Sequence, residues 1–224
     1  MLVVKGMRFP IEVILVCIRW YAAYPLSCRH LEEMMEERGV TVDHSTVSRW
    51  AIRFLPLLER TFRKYKRPVG GSWRMDETYI KVKGVWKYLY RAVDRDGKTI
   101  DFLLTAKRDK AAAKRFFDKA MQANSVPEKV TMDKSGANKA AIDEINANRE
   151  KPMVVRQVKY LNNIVEQDHR AVKRITKPML EFKSFQSAKN ILAGIELMHM
   201  IRKGQMMEGA DKMSYAEQFY ALAE

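Results

Sequence analysis

The sequence predicts an α/β fold: a core with a mixed sheet in the order βββαβαβα, preceded by an all-α module. Three observations predict it. WRMDETYIKVKGVWKYLYRAVDRDG, residues 73–97, is a run of strand-like segments broken at glycine turns. After it the apolar period changes, and helical segments alternate with short apolar strands. Ahead of Pro68 the apolar residues recur at helical spacing.

The all-α module spans residues 1–67. Pro10 suits a first helical turn, and Ile11, Ile14, Leu15 and Ile18 follow at helical spacing. Tyr24-Pro25 stops that helix. A second helix fits Ser27 to Arg38, with Ser27 as N-cap and Gly39 as the closing glycine. The third opens at DHSTVSRWAIRFL, capped by Asp43 or Ser45, with Val47, Trp50, Ala51 and Phe54 as its apolar face. Two helices joined through a Gly-containing turn behind a supporting helix suit a helix-turn-helix, whose second helix would present His44, Ser45, Thr46, Ser48 and Arg49 to a major groove. A plain three-helix bundle has the same pattern. RTFRKYKR, residues 60–67, offers Arg63, Lys64, Lys66 and Arg67 to phosphates, or is a solvated helix face. Residues 68–71, PVGG, read as a linker.

The core spans residues 72–176. Strands are expected at Trp73 to Val82, Val85 to Asp94 and Thr99 to Thr105, with turns at Lys83-Gly84 and Arg95-Asp96-Gly97. RDKAAAKRFFDKAMQA reads as a helix ended by Pro127, KVTMD as a strand and SGANKAAIDEINA as a helix. MVVRQV reads as a strand, and a last helix follows from about Asn162. Residues 177–224 form a C-terminal helical region whose tail, KMSYAEQFYALA, suits a helix and an oligomer contact.

Charge narrows the partner. The chain has 224 residues, 41 Lys plus Arg against 27 Asp plus Glu, and a net +14. Such an excess points to a polyanion, nucleic acid first and an anionic membrane surface second; with the helix-turn-helix reading the expected partner is double-stranded DNA. No apolar run reaches the roughly 20 residues of a membrane span. Cys17 and Cys28 make no disulfide framework or metal spacing, and the four histidines are scattered. The expected location is the cytoplasm, with the nucleoid.

Three carboxylates stand where ligands gather in an open α/β sheet. Asp76 lies on the first, central strand, Asp133 at the end of the fourth and Glu166 in the first turns of the last helix. Acids converging there would repel one another unless a cation sits among them, and oxygen ligands of this kind suit Mg²⁺ or Mn²⁺, two ions in a phosphoryl-transfer site. Each acid alone has a structural reading. Asp76 could pair with Arg74 or Lys81, and Glu77 could be the functional acid, since neighbours on a strand face opposite ways. Asp133 could cap SGAN, and Glu166 could close a capping box with Asn163.

ERGVTVDHSTVSRW, WRMDETYIKVKGVWKYLYRAVDRDG, TMDKSGANKAAI, KYLNNIVEQDHRAVKR and FKSFQSAKNILAGIE together resemble the DDE transposases of short bacterial insertion sequences, most of all the cointegrate-forming insertion-sequence-six family. The resemblance runs from about Arg8 to Lys203. It implies an RNase H-like, integrase-type core and a Mg²⁺-dependent enzyme that cuts and transfers DNA strands at terminal inverted repeats, as a dimer or higher oligomer. Asp76, Asp133 and Glu166 match the catalytic, metal-holding triad. Lys173 matches a basic residue seven after the glutamate, and His169, Arg170 and Asn162 are expected to meet DNA beside it. The interval from Asp133 to Glu166 leaves 32 residues, slightly shorter than is usual in the family. A non-catalytic DNA-binding regulator and a nuclease that cuts without joining are the rival expectations.

Overall fold

The structure is a computed structural model that describes residues 7–158, 162–207 and 209–224. It divides into two compact units, one of residues 68–170 and the other of residues 1–67 with 171–224.

In the first unit, β1 (Ser72–Val82), β2 (Val85–Val93) and β3 (Thr99–Thr105) form the expected meander. It is followed by α4 (Lys110–Asn124), β4 (Lys129–Thr131), α5 (Gly136–Ala147), β5 (Val154–Arg156) and α6 (Asn163–Thr176). The sheet order is β3-β2-β1-β4-β5. β2 runs antiparallel to both β1 and β3, whereas β4 and β5 run parallel to β1 and to each other. This is the RNase H-like arrangement, with β1 in the middle. The division between units falls inside α6, after Arg170.

Asp109 caps α4 by accepting from the Ala112 amide at 2.8 Å, and Ser135 caps α5. Phe116, Phe117, Ala141 and Ile142 of these helices pack on Trp73, Met75, Tyr90 and Val130 of the sheet, all buried. The turn after β2 is built on buried Asp94, which accepts from the amides of Asp96 and Lys98 at 3.0 and 2.9 Å and from Gly70 at 3.0 Å. A linker amide is thereby fastened to the sheet.

The second unit holds α1 (Ile11–Ala23), α2 (Cys28–Glu36), α3 (His44–Lys64), α7 (Phe185–Arg202) and α8 (Tyr215–Tyr220). Ser27 caps α2 and Asp43 caps α3, and Gly39 takes φ +71° between them. α3 is longer than its opening motif suggests, because it continues through Pro56 and absorbs most of the basic run. Pro56 has no N–H for the carbonyl of Ile52. Asn190 of α7 donates to that oxygen instead, at 2.9 Å. Residues 177–224 are therefore not a separate appendage: α7 packs on α1 and α3. The tail also packs on its own unit, where Phe219 is buried and Arg19 donates to the Tyr220 hydroxyl at 3.1 Å.

Candidate active site

Alternation along β1 separates the two adjacent acids. Trp73 and Met75 point into the core beneath α4 and α5. Glu77 shares that face, where Asn138 of α5 donates to it at 2.9 Å and Arg108 at 3.2 and 3.3 Å. Its side chain is 4% exposed, and burial pushes its carboxyl above the ordinary range, against the pull of Asn138 and Arg108. Glu77 is thus a satisfied internal acid. Asp76 rises from the other face.

On that face Asp76 stands opposite Arg91 of β2 in the strand register. Arg91 is fully buried, and its Nη2 lies 2.8 Å from Asp168 Oδ2 on α6. Asp76 Oδ2 instead meets His169 Nε2 at 3.1 Å. A carboxylate only accepts, so Nε2 is the donor in this contact.

Asp133 follows β4 by two residues, and its carbonyl accepts from the amide of Ser135, the N-cap of α5. Its Oδ1 lies 3.4 Å from Asn162 Nδ2, and the same amide group lies 3.4 Å from the Met75 carbonyl beside Asp76. Asn162 thus ties β1 to Asp133. Glu166 lies in the first turn of α6 and is exposed. It shares a helix face with His169, three residues on. Two ties on α6, Asp168 to Arg91 and His169 to Asp76, therefore set where Glu166 projects.

The acids are not drawn into one coordination sphere. Among the described residues only Glu32, Asp43 and His44 offer ligand atoms all within 4.8 Å of one another. That group is an ion-pair cluster at the start of α3, with His44 Nδ1 at 2.9 Å from Glu32 and 3.4 Å from Asp43.

Several residues expected on a DNA-facing surface sit elsewhere. Asn162 is fully buried and His169 is 6% exposed, and each lies against one of the acids. Arg63 pairs with Glu59, and Arg67 pairs with Asp211 at 2.6 Å. Ser45, Arg49, Lys64, Arg170 and Lys173 are exposed; His44, Thr46, Ser48 and Lys66 are partly so. Arg49 donates to Thr46 at 2.7 Å. Sequence reasoning missed Arg91 and Asp168. The available signal was a lone charge inside the apolar strand VWKYLYRAV, in register with Asp76.

A DDE-domain family model matches residues 70–205. The chain is 41% identical over 198 residues to the transposase for insertion sequence-like element IS431mec of Staphylococcus aureus, covering 88% of this chain and 87% of that protein. It is 40% identical over the same length to the transposase for insertion sequence element IS257 in transposon Tn4003, from the same species. Among solved structures, the HTLV-2 integrase catalytic core domain in complex with magnesium aligns at a TM-score of 0.45 and 15% identity, over 59% of this chain and 88% of that one. The BIV integrase catalytic core domain aligns at 0.41 and 13%, over 57% and 83%.

Proposed function

The chain belongs to the DDE transposases of the insertion-sequence-six family, and on that premise we propose that Asp76, Asp133 and Glu166 are the acids at which it cuts and joins DNA. It is an enzyme of DNA transposition, a metal-dependent polynucleotidyl transferase. The observation that carries the assignment is the convergence of Asp76 and Asp133 on the start of α6, through His169 and Asn162.

The donor set fits a hard divalent cation, because all three groups are anionic oxygen donors. Asp76, Asp133 and Glu166 would hold Mg²⁺ or Mn²⁺, two ions in our reading. The cation, when bound, supplies Lewis-acid polarisation of the phosphate and a more acidic water. The chain's own residues supply position. Asp76 is presented by the central strand, Asp133 by the turn that caps α5, and Glu166 by a helix fastened through Asp168. His169 and Asn162 limit how the two aspartates turn, which is how a preorganised site lowers a barrier. No side chain forms a covalent bond to DNA in this reading.

The start of α3 supports a helix-turn-helix reading of α2 and α3, with Ser45, Ser48 and Arg49 toward the major groove of the terminal inverted repeats. Arg170 and Lys173 lie on α6 four and seven residues after Glu166. Seven residues is about two turns, so Lys173 shares the glutamate's side and can hold a phosphate near the acids. Two element ends require two recognition modules, hence at least a dimer. A DNA substrate of this kind is what supports reading the protein as cytoplasmic and associated with the nucleoid. No helix among the described residues is long and apolar enough to cross a membrane.

The test uses the purified chain, a labelled element end, a target plasmid and Mg²⁺, with Asp76→Asn in parallel. Nicked and joined product from the wild type, with binding but no product from Asp76→Asn, is the expected result. Joined product from Asp76→Asn would overturn the assignment. Nicking without joining would favour a nuclease.

A further inference from the structure

The β1–β2 hairpin runs past the rest of its sheet. β4 pairs with β1 only at residues 72–74, and β3 reaches along β2 only to Tyr88. Beyond Tyr79 and Tyr88 no third strand among the described residues joins the hairpin, whose other face, Ile80 and Val82, is buried; it closes at Lys83-Gly84 with φ +48° and +74°. Two successive positive φ values match the tight turn that follows the twist of a hairpin.

One face of this tip is aromatic. Tyr79 pairs with Tyr88, and Lys81 pairs with Trp86, so all four side chains share a face. The rings of Tyr79 and Trp86 have centroids 6.4 Å apart, and those of Tyr79 and Tyr88 are 5.4 Å apart. Tyr79 is 48% exposed and Trp86 57%. A two-stranded ribbon gains little by displaying its largest apolar residues to water, so such a patch marks a binding surface. Its charge selects the partner. Residues 78–91 hold Lys81, Lys83, Lys87 and Arg91 and no acid. Glu77 shares the aromatic face but is paired with Arg108 and withdrawn from solvent. A two-fold contact through this face would bring two lysine-bearing patches together, with no acid in residues 78–91 to offset them. Rings between lysines, with no exposed acid, instead suit stacked bases and their phosphates.

We propose that the hairpin tip is a stacking platform for unpaired bases of the DNA strand being processed. The proposal rests on Asp76 lying in the catalytic centre. Tyr79 is three residues further along β1, about 10 Å of strand. It rises from the sheet face opposite Asp76, so the platform neighbours the acids without being part of them. Bases melted from the duplex next to the cut would lie across Trp86 and Tyr79, with Lys81 and Lys83 on the backbone.

The test measures anisotropy of a labelled oligothymidylate and of a duplex of equal length, with the full chain and its Trp86→Ala, Trp86→Phe and Tyr79→Ala variants. Alanine at either position should weaken single-strand binding about fivefold or more, the effect of losing one stacked base, and duplex binding less than about twofold. Trp86→Phe should keep most of the single-strand affinity. Circular dichroism and melting check that each variant folds. The Asp76→Asn chain should bind the single strand like wild type, which separates this proposal from the assignment of the acids. Unchanged single-strand affinity in both alanine variants would overturn the platform. So would equal losses on both DNAs, or a switch of oligomeric state in sedimentation with DNA binding intact, which would assign the face to a second copy.

Discussion

Asp76 and Arg91 stand directly across from one another on β1 and β2, yet each side chain is engaged by a different residue of α6. Arg91 takes Asp168 at 2.8 Å, and Asp76 takes His169 at 3.1 Å. Asp168 and His169 are consecutive, so a single turn of α6 holds both contacts and with them the position of Glu166.

The Arg91–Asp168 pair is deeply buried, with side chains 0% and 9% exposed. Removing one partner leaves a buried charge without the other half of its ion pair, at a cost of about 3–5 kcal/mol. Arg91→Met should therefore lower stability by about that amount in urea unfolding. Replacing both, Arg91→Met with Asp168→Leu, should recover most of it, because a well-packed apolar pair can substitute for an ion pair. A single variant as stable as wild type would show that the pair does not fasten the helix.

Asn162 distinguishes support from DNA contact. It is fully buried and its amide reaches Asp133 and the Met75 carbonyl. Residues that orient ligand side chains typically change activity by about 10–100-fold when removed. Asn162→Ala should lose strand transfer to that extent while binding the element end normally. Weaker end binding with an unchanged rate for bound DNA would return Asn162 to the DNA surface.

Much of this site was legible because strand and helix periods are local. Alternation along β1 already stated that Asp76 and Glu77 must diverge. Which acid faced the core depended on Trp73 and Met75 packing under α4 and α5, a tertiary fact. The role of Arg67 was not legible for the same reason, whereas the partner of Arg63, Glu59, stands four residues back on the same helix and was within reach of the helical period. Asp211, the partner of Arg67, lies 144 residues away in sequence. The joining of the first helices with α7 was equally hidden. Its marks are the Asn190 amide on the carbonyl that Pro56 leaves without a donor, and Gly194 against Leu55.

Acid pH should loosen the packing of α4 on α5. Hydrogen bonds from Lys110 and Lys114, then their charges, hold the Glu144 carboxyl down at about 2. A carboxyl lowered in the folded state stabilises above its unfolded pKa, and that contribution is lost as pH falls through the folded value. The window here runs from about pH 4.5 down to about 2. All three side chains are substantially exposed, so the effect is small and salt-sensitive. The melting-temperature gap between wild type and Glu144→Gln should shrink across that window and narrow in high salt. A gap that stays constant from pH 6 to pH 2 would show that the lysines do not act through the carboxylate's charge.

Gly194 tests the contact of α7 with α3. Within a helix, alanine is normally better than glycine by about 1 kcal/mol. A Cβ at position 194, however, would lie 2.5–2.7 Å from Cδ1, Cδ2 and Cγ of Leu55, which is itself fully buried in α3. Leu55 cannot swing into solvent, so either its rotamer or the helix spacing must give, and overpacking of that kind costs about 1–3 kcal/mol. The steric term exceeds the propensity gain over most of that range. Gly194→Ala should therefore lower the unfolding free energy by up to about 2 kcal/mol. In a Leu55→Ala background the same substitution should become neutral or stabilising, because the atoms it strikes are gone. A double-mutant cycle in urea reads this coupling directly. A Gly194→Ala chain that is more stable than wild type would mean that α7 and α3 do not approach at Gly194 as closely as the structure has them.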